Sequence, residues 1–352
     1  LMIMFVDIAF PISSYNIFTY SVPQKFKSQI DIGSRVTAPL GKRSTTGIII
    51  GFPKKPVFTG TIKSIESLVD SYPVLDKTLW KLVHWMSTYY FTPMGQVAKT
   101  VLPAQLSMKY LPQKTWIAEV LPNAESDDLL SSAFVQRNIV GFLHKKKGMV
   151  PVTGLKHLAS NPMNVCRILE KKGLIRLTTV ESIPDITGFT FDPIEKTISF
   201  SETQRAVLDK LIPSIKAKIF VSNLLHGVTG SGKTEIYIEA VRQCIDLKMS
   251  AIILLPEISL TPQIAGRFAA VFGNKVALWH SKMTPGIRVW TWKKICSGEC
   301  SVVIGARSAV FTPVKRLGLI IVDEEQESAY KQASPAPRYH ARDVALMRGK
   351  LH

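Results

Sequence analysis

Cysteine and long apolar runs are both scarce in this sequence. Its 352 residues include 4 cysteines, and no two of them form a CxxC pair of the kind that holds zinc or supports redox chemistry. We therefore interpret them as reduced thiols of a cytoplasmic protein. Every apolar run is shorter than the roughly 18 residues that a transmembrane helix needs. The first residues also lack the basic leader of a signal peptide, so we expect no membrane partner.

Acidic residues are few compared with basic ones. The chain carries 44 Lys and Arg against 26 Asp and Glu, a formal net charge of +18. The first 180 residues hold 22 basic and 10 acidic side chains, whereas the remainder holds 22 and 16. This imbalance favours a polyanionic partner that is met mainly by the N-terminal half. The charge alone would also fit a membrane surface or a merely basic soluble protein.

The length predicts two or three domains, because single cores rarely extend past about 250 residues. Residues 1–110 begin with four short strand patterns broken by turn residues, which predict a small β-barrel. A helix follows from about residue 74 to 91, with Asp76 as its N-cap. Residues 111–180 show three helical patterns and then an extended end, the order of a winged helix. Its lysine clusters, Lys145 to Lys147 with Lys171 and Lys172, either contact phosphates or form a solvated face.

Residues 181–197 are spaced by prolines and lack periodicity, so we interpret them as a linker. From residue 198 to 352, apolar strands alternate with helices, which predicts a parallel sheet covered on both faces. The first of these predicted strands is KIFVSNLLHG, Lys218 to Gly227. The predicted fold class is therefore a multidomain chain with an α/β lobe behind a mainly β domain and an α winged-helix domain.

The stretch GVTGSGKT matches the phosphate-binding pattern GxxxxGK[ST] between a predicted strand and a helix. Glycines allow successive backbone N–H groups to point at phosphate oxygens, the lysine neutralises their charge and the final hydroxyl binds Mg²⁺. The residues predicted to surround the nucleotide are Gly227, Gly230, Ser231, Gly232, Lys233 and Thr234.

A second candidate motif is LGLIIVDEE, in which three acids follow an apolar strand. Acids at the carboxyl end of a parallel strand face the crevice that holds the ligand. We expect Asp323 to hold Mg²⁺ and Glu324 to orient and deprotonate the attacking water. Between the two motifs, short polar side chains follow two other strands and suit phosphate contacts. They are Ser259, Thr261, Gln263, Arg307 and Ser308.

These motifs, together with LLPEISLTPQ and SAYKQASPAPRYHARDVALMR, resemble in order and spacing the first motor lobe of the PriA family of bacterial primosomal helicases. RVTAPLGKR and TPMGQVAKTVLPAQL resemble that family's domain for 3′ DNA ends. The resemblance implies a RecA-like P-loop lobe that uses ATP and Mg²⁺ for 3′-to-5′ DNA translocation. It implies stalled forks, 3′ ends and single strands as DNA partners, with primosome proteins and single-stranded DNA-binding protein beside them. It also implies a cytoplasmic, nucleoid-associated location, and zinc only in a C-terminal half.

The resemblance assigns further residues. Gln204 would read adenine, and the segment from Tyr330 to Arg342 would couple DNA contact to hydrolysis. The residues it places on DNA are Phe18, Thr19, Gly41, Lys63, Arg307, Arg338, Tyr339, His340 and Arg342. Three positions depart from the family pattern: Thr19 stands where an acid contacts the terminal 3′ hydroxyl, Gln326 replaces a histidine, and Pro337 replaces an aromatic residue.

The sequence also leaves alternatives open. It holds one motor lobe, and superfamily 2 motors close the ATP site between two, so we expect the chain alone to hydrolyse ATP poorly or not at all. A non-enzymatic DNA-binding or primosome-docking module is the second hypothesis. An RNA helicase or a restriction-type translocase is a third, which does not explain residues 1–180.

Overall fold

The computed structural model describes residues 3–56, 60–70, 74–103, 114–121, 132–146, 150–181, 200–228, 230–256 and 262–352. The chain divides into two compact units, one of Leu1–Tyr110 with Ile186–His352 and one of Leu111–Asp185. Apart from Glu181, the predicted linker 181–197 lies outside the described residues. Within the described residues, no helix combines the length and apolar character needed to cross a bilayer.

An antiparallel sheet opens the larger unit, and the four strands predicted from the sequence are all present. Its strands are β1 (Phe5–Ala9), β2 (Phe18–Ser21), β3 (Arg35–Leu40), β4 (Arg43–Gly51) and β5 (Ser67–Leu68). Their order is β2-β1-β4-β3-β5. Ser21 donates its N–H to Lys63 O at 2.9 Å and accepts from Ile65 N at 3.1 Å. These bonds bring the end of β2 to the segment before β5, so the sheet curls as a barrel does.

Two helices follow this sheet, α1 (Lys77–Tyr89) and α2 (Met94–Val101). Asp76 caps α1 as predicted, because its carboxylate accepts hydrogen bonds from Thr78 N at 2.9 Å and Leu79 N at 2.8 Å. The buried face of α1 consists of Leu79, Leu82, Val83 and Met86. This apolar stripe at helical spacing holds the helix against its neighbours.

The smaller unit surrounds a three-stranded antiparallel sheet of order β7-β6-β8. Its elements are β6 (Lys114–Val120), α3 (Phe134–Lys146), β7 (Val150–Pro151), α4 (Pro162–Lys171) and β8 (Ile175–Glu181). A 3₁₀ turn, Val152–Leu155, occupies the place of the second predicted helix. The first and third predicted helices and the final strand are present, whereas the second predicted helix is wrong because only this turn forms there. The winged-helix assignment itself stays a prediction.

The remaining part is an α/β lobe. Its elements are α5 (Glu202–Ala217), α6 (Lys233–Asp246), β9 (Ser250–Leu254), α7 (Pro262–Phe272), β10 (Val276–Trp279), α8 (Pro285–Ser297), β11 (Val302–Gly305), β12 (Leu317–Val322) and α9 (Ala341–Leu351). The strand order is β10-β11-β9-β12, and every neighbouring pair is parallel, as predicted. Strands β9 and β11 are buried throughout, which explains their uninterrupted apolar sequences.

The predicted strand from Lys218 to Gly227 is wrong, because the structure forms no strand there. Ile219 is 64% exposed and Leu224 is 81% exposed. The segment does not pair with the outer edge of β12, and no other described strand pairs with that edge. A groove of about 1100 Å³ lies between the segment and β12. All six residues of β12 are accordingly only half-buried.

Helix α1 packs against α9, so the N-terminal part and the α/β lobe share one apolar core within the larger unit. Leu79 and Met86 belong to that core together with Tyr330, Tyr339 and Val344. At its surface, His340 N donates a hydrogen bond to the Tyr90 hydroxyl at 3.2 Å. The loop that precedes α9 is therefore held by both parts.

Candidate functional site

The glycine-rich loop from Gly227 to Thr234 leads directly into α6, as the sequence predicts. Thr229 lies outside the described residues. Gly230 and Gly232 have φ of 81° and 79°, a left-handed backbone that favours glycine. A Cβ on Gly232 would also clash with the side chain of Gln204. The loop thus depends on glycine for its shape, and it presents the N-terminus of a 14-residue helix.

Lys233 is the first residue of α6, and its ammonium donates a hydrogen bond of 2.8 Å to Gly227 O. The contact folds the lysine back over the loop, where a phosphate would compete with the carbonyl for its protons. Thr234 follows at the second position of the helix and is half-buried. Both predicted residues therefore lie at the mouth of the loop.

Gln204 lies beside this loop. It is the third residue of α5, where it forms a capping box with Ser201. Its amide nitrogen donates to Ser231 O at 3.2 Å and its amide oxygen accepts from Ser201 N at 2.9 Å. The structure thus ties Gln204 to the loop, while its predicted contact with adenine stays a prediction.

The predicted acids lie at the end of β12, facing the same groove as Lys233. The hydroxyl of Tyr237, on α6, donates to Asp323 Oδ1 at 2.9 Å. Burial, followed by the charge of Asp323, raises the pKa of Tyr237, so this hydroxyl remains a donor at neutral pH. Glu324 has a φ of 47°, unusual for a side chain of this type. Gln326 donates to Glu324 Oε2 at 2.8 Å and so holds the carboxylate that we expect to orient water.

The groove offers the chemistry that ATP and Mg²⁺ require. Backbone N–H groups at the start of α6 and the Lys233 ammonium suit phosphate oxygens, and the Thr234 hydroxyl and the Asp323 carboxylate suit a hard cation. In the described part of the chain, no three His, Cys, Asp or Glu side chains cluster as a metal site would need. The hydroxyl of Thr234 and the carboxylate of Asp323 suit a magnesium ion for which nucleotide phosphates supply the other oxygen ligands.

The segment from Lys331 to His340 forms a closed hairpin, joined at its base by a β-bridge between these two residues. Arg307 donates to Lys331 O at 2.9 Å and its guanidinium lies 5.9 Å from the centre of the Tyr339 ring. Tyr339 is 1% exposed, so its ring supports Arg307 and is not presented to solvent. Arg338 is exposed beside it.

His340 and Arg342 lie where this hairpin enters α9. His340 Nδ1 accepts a hydrogen bond from Arg342 N at 3.3 Å and caps the helix. Desolvation by burial lowers the pKa of His340, which keeps the imidazole a neutral acceptor. Arg342 Nη1 donates to Glu325 at 2.7 Å. This pair connects the start of α9 to the acidic motif.

Of the other polar residues between the motifs, Ser308 accepts a hydrogen bond from Trp279 Nε1 at 3.2 Å. Ser259 and Thr261 lie outside the described residues, as does the side chain of Gln263.

The predicted residues for a 3′ DNA end lie in the N-terminal sheet. The structure brings Gly41, at the β3–β4 turn with φ of 63°, to Lys63, whose ammonium donates to Gly41 O at 3.4 Å. Phe18 packs edge-on against Phe10 at 5.6 Å between ring centres. Thr19, the neighbouring residue on β2, projects from the opposite face of the strand and contacts Asp7.

Two residues that sequence analysis did not single out, Asp7 and Tyr237, touch these sites. Tyr330, which it named only as the first residue of the coupling segment, touches them as well. The hydroxyl of Tyr330 donates to Asp323 O at 2.6 Å. Tyr237 lies one helical turn after Lys233 on α6, a spacing that places it on the same side of the helix as the acids. Asp7 and Tyr330 carry no comparable signal, because their contacts depend on strand register and on loop closure.

Comparison with known proteins identifies the domains and the relatives that this chain resembles. A model of the 3′ DNA-binding domain of PriA matches residues 7–103, and a model of DEAD/DEAH box helicases matches residues 201–348. The replication restart protein PriA of Chlamydia pneumoniae is 36% identical over 94% of this chain and 45% of its own length. PriA of Bacillus subtilis is 31% identical over 99% of this chain and 52% of its own length.

A shorter match, to PriA of Helicobacter pylori, is 44% identical over 46% of this chain and 25% of that protein. The chain spans about half the length of the first two relatives. It carries a 3′ DNA-binding domain and a DEAD/DEAH helicase domain, in that order. The chain belongs to the PriA family of replication restart proteins and corresponds to their N-terminal portion.

Proposed function

We propose that this chain supplies the ATP-binding lobe and the DNA-end-binding part of a 3′-to-5′ DNA helicase that restarts stalled replication. One observation carries the proposal: Lys233 of the phosphate-binding loop and the acids Asp323 and Glu324 line the same groove. Phosphate donors facing a pair of carboxylates form the arrangement that ATP hydrolysis uses.

Each residue has a distinct task in this proposal. Gly230, Ser231 and Gly232 direct backbone N–H groups to the phosphates, and Lys233 exchanges its bond with Gly227 O for phosphate oxygens. Thr234 and Asp323 hold Mg²⁺, which neutralises charge on the phosphates when bound. Glu324 orients the attacking water, and Gln204 contacts adenine. A second lobe supplies the remaining transition-state contacts, so this chain alone turns ATP over slowly.

The DNA contacts of the proposal lie in two places. In the N-terminal sheet, Phe18, Thr19, Gly41 and Lys63 take a free 3′ end. In the lobe, the cationic side chains Arg307, Arg338 and Arg342 with His340 face single-stranded DNA. Tyr339 contributes by fixing Arg307. A winged helix over residues 111–180 and a linker over 181–197 complete the proposed domain layout.

The proposed partners follow from this activity. They are forked and single-stranded DNA, together with the primosome proteins and single-stranded DNA-binding protein that meet at a stalled fork. The proposed location is the cytoplasm, in association with the nucleoid. The basic excess of the chain, +18, is compatible with such a polyanionic environment.

Fluorescence-anisotropy titrations test the proposal. This chain is titrated onto a fork with a free 3′ hydroxyl, onto the same fork with a 3′ phosphate, and onto duplex RNA of equal length, all at matched salt. We expect the fork with the free hydroxyl to bind most tightly. Equal affinity for the two forks would contradict the 3′-end assignment. Equal affinity for the fork and the duplex RNA would contradict the replication-restart function.

A module that binds DNA without hydrolysing ATP is the second candidate. The hydrogen bond from Gln326 to Glu324 favours it, because it occupies an oxygen of the carboxylate that orients water. Single-turnover hydrolysis separates the two candidate functions. The measurement uses a full-length member of the family that carries glutamine at the position corresponding to Gln326. Tight nucleotide binding without product formation would select the module.

A further inference from the structure

A cavity of about 170 Å³ lies at one end of the N-terminal sheet. Its walls come from the end of β1, the loop between β1 and β2, the end of β4 and the start of α2. Phe10, Ile17 and Met94 make these walls apolar, and Tyr15 and Asn16 lie at the rim. No residue assigned above to ATP or to the 3′ end lines this cavity, so the proposed function leaves it without a role.

The loop that forms the rim is fixed at two points. The hydroxyl of Tyr15 donates to Phe91 O at 2.6 Å, and the side-chain amide of Gln96 donates to Ser13 Oγ at 2.7 Å. Phe91, which directly follows α1 and its C-cap, has a φ of 46°, a left-handed backbone that is uncommon for a bulky residue. The two bonds join the loop to α2 and to the turn before it, so the cavity is already formed without a ligand.

Close packing of α2 against the end of β1 forms the floor of the cavity. A Cβ on Gly95 would overlap Phe10 O, so only glycine permits this approach. The ring of Phe10 is 2% exposed and packs edge-on against Phe18, with 5.6 Å between ring centres. Phe18 is one of the residues assigned to the DNA 3′ end. The cavity and that site are therefore connected through one packed pair of aromatic rings.

The size and the lining of the cavity select one aromatic ring. A protein cavity of about 150 Å³ accommodates benzene, so a volume of about 170 Å³ suits a single six-membered ring better than a fused pair. Tyr15 is 65% exposed, which leaves its ring free to stack, and the exposed amide of Asn16 offers both a donor and an acceptor. Apolar walls with an amide at the rim match a pyrimidine base, which has two apolar faces and a polar edge.

Charge and position favour single-stranded DNA as the source of this base. The cavity lies within the 3′ DNA-binding domain, residues 7–103, which carries 11 Lys and Arg against 5 Asp and Glu. Ser21 on β2 donates its N–H to Lys63 O at 2.9 Å. At about 3.3 Å per residue, the chain from Tyr15 to Ser21 spans at most about 20 Å. A strand held by its 3′ end near Lys63 therefore reaches the cavity with a base several nucleotides upstream.

We propose that this cavity is a subsite for one unpaired pyrimidine base, upstream of a 3′ end that the N-terminal sheet holds. Tyr15 stacks on the base, and the amide of Asn16 bonds its polar edge. The inference rests on the proposed function, because it requires that single-stranded DNA bind this domain. It adds a preference for base identity at one position, which recognition of a terminal hydroxyl does not supply.

The experiment uses labelled oligo-dT of about 12 nucleotides with a free 3′ hydroxyl. In a set of such strands, one dT at a time is replaced by dC, by dA or by an abasic site. Anisotropy titrations at matched salt measure the affinity of the unchanged chain for each strand. Because the protein is wild type in this part, the result does not depend on the folding of a variant.

We expect one position, several nucleotides from the 3′ end, at which base identity matters. There, dA and the abasic site should each weaken binding by about fivefold or more, because a stacked base is lost or does not fit. A dC at the same position should bind within about twofold of dT, since it is also a single ring. At positions outside the cavity, all replacements should stay within about twofold.

Variants of the rim test the assignment of residues. Tyr15→Ala removes the ring, and dT and dA should then bind equally at the selective position. Tyr15→Phe keeps the ring but loses the bond to Phe91 O, and it should retain most of the preference. Tyr89→Ala is the matched control, because Tyr89 is 56% exposed in the same domain but does not line the cavity. It should keep the full preference.

Each outcome has a defined meaning. Uniform affinity across the set of strands would overturn the inference and would indicate a protein side chain as the occupant, while the proposed function would stand. An unchanged base preference in Tyr15→Ala would overturn it as well. A wild-type chain without measurable affinity for any of the strands would refute the DNA-binding part of the proposed function, and the inference would fall with it.

Discussion

The hydroxyl of Thr19 donates a hydrogen bond of 2.6 Å to the carboxylate of Asp7 across the paired strands β2 and β1. Thr19 stands where the family pattern has an acid, and the strand register places an acid directly opposite it. A carboxylate is thus present at this side of the proposed 3′-end site, supplied by the neighbouring strand.

This pairing predicts how Asp7→Asn affects end recognition. A carboxylate repels a terminal phosphate and accepts a hydrogen bond from a terminal hydroxyl, whereas an amide does neither as strongly. The preference for a fork with a 3′ hydroxyl over one with a 3′ phosphate should fall by about tenfold. Anisotropy titrations measure it, with Asp209→Asn on α5 as the control for the charge change. An unchanged preference for the 3′ hydroxyl would show that Asp7 takes no part in recognising the 3′ end.

Lys233→Ala should weaken binding of Mg²⁺-nucleotide by about 10- to 100-fold, because a hydrogen bond from a charged group contributes about 1.5–3 kcal/mol. DNA affinity should stay unchanged, since Lys233 lies in the groove and not on the hairpin. Titration with a fluorescent nucleotide gives the first value and anisotropy the second. Retained nucleotide affinity would contradict the phosphate role of the loop.

Glu324→Gly should unfold at the same denaturant concentration as wild type or at a higher one. Its φ of 47° disfavours any residue with a Cβ, and glycine removes a cost of about 1 kcal/mol. Glu324→Ala keeps the unfavourable backbone and should be the less stable of the two. Lys248→Gly, at φ of 56° after α6, is the matched control away from the acids. Equal stability of the Gly and Ala variants would contradict the strain.

His340 predicts a dependence of stability on pH. Burial lowers its pKa below the ordinary value of 6.5, so the unfolded chain binds more protons than the folded one as the pH falls through 6.5. Stability due to this group is present above that pH and is lost below it. His340→Asn keeps a capping acceptor for Arg342 N and should show a smaller loss of Tm between pH 7 and pH 5. An equal loss in both proteins would assign the dependence to other groups.

Local chemistry made much of this fold predictable from sequence. Alternation and turn residues located β1 to β4, Asp76 marked the start of α1, and the glycine pattern located the loop before α6. The strand predicted from Lys218 to Gly227 is wrong because apolar composition reports an intrinsic preference, whereas a strand also requires pairing, and this segment does not pair with the open edge of β12. The contacts of Asp7 and Tyr330 depend on register and loop closure over 12 and 7 residues, which composition does not encode.

The outer edge of β12, which no described strand covers, also bears on how this polypeptide behaves in a cell. An open row of backbone donors and acceptors beside exposed Ile219, Phe220 and Leu224 is a template on which other extended chains add. Concentrated chain should therefore form aggregates that grow by strand addition.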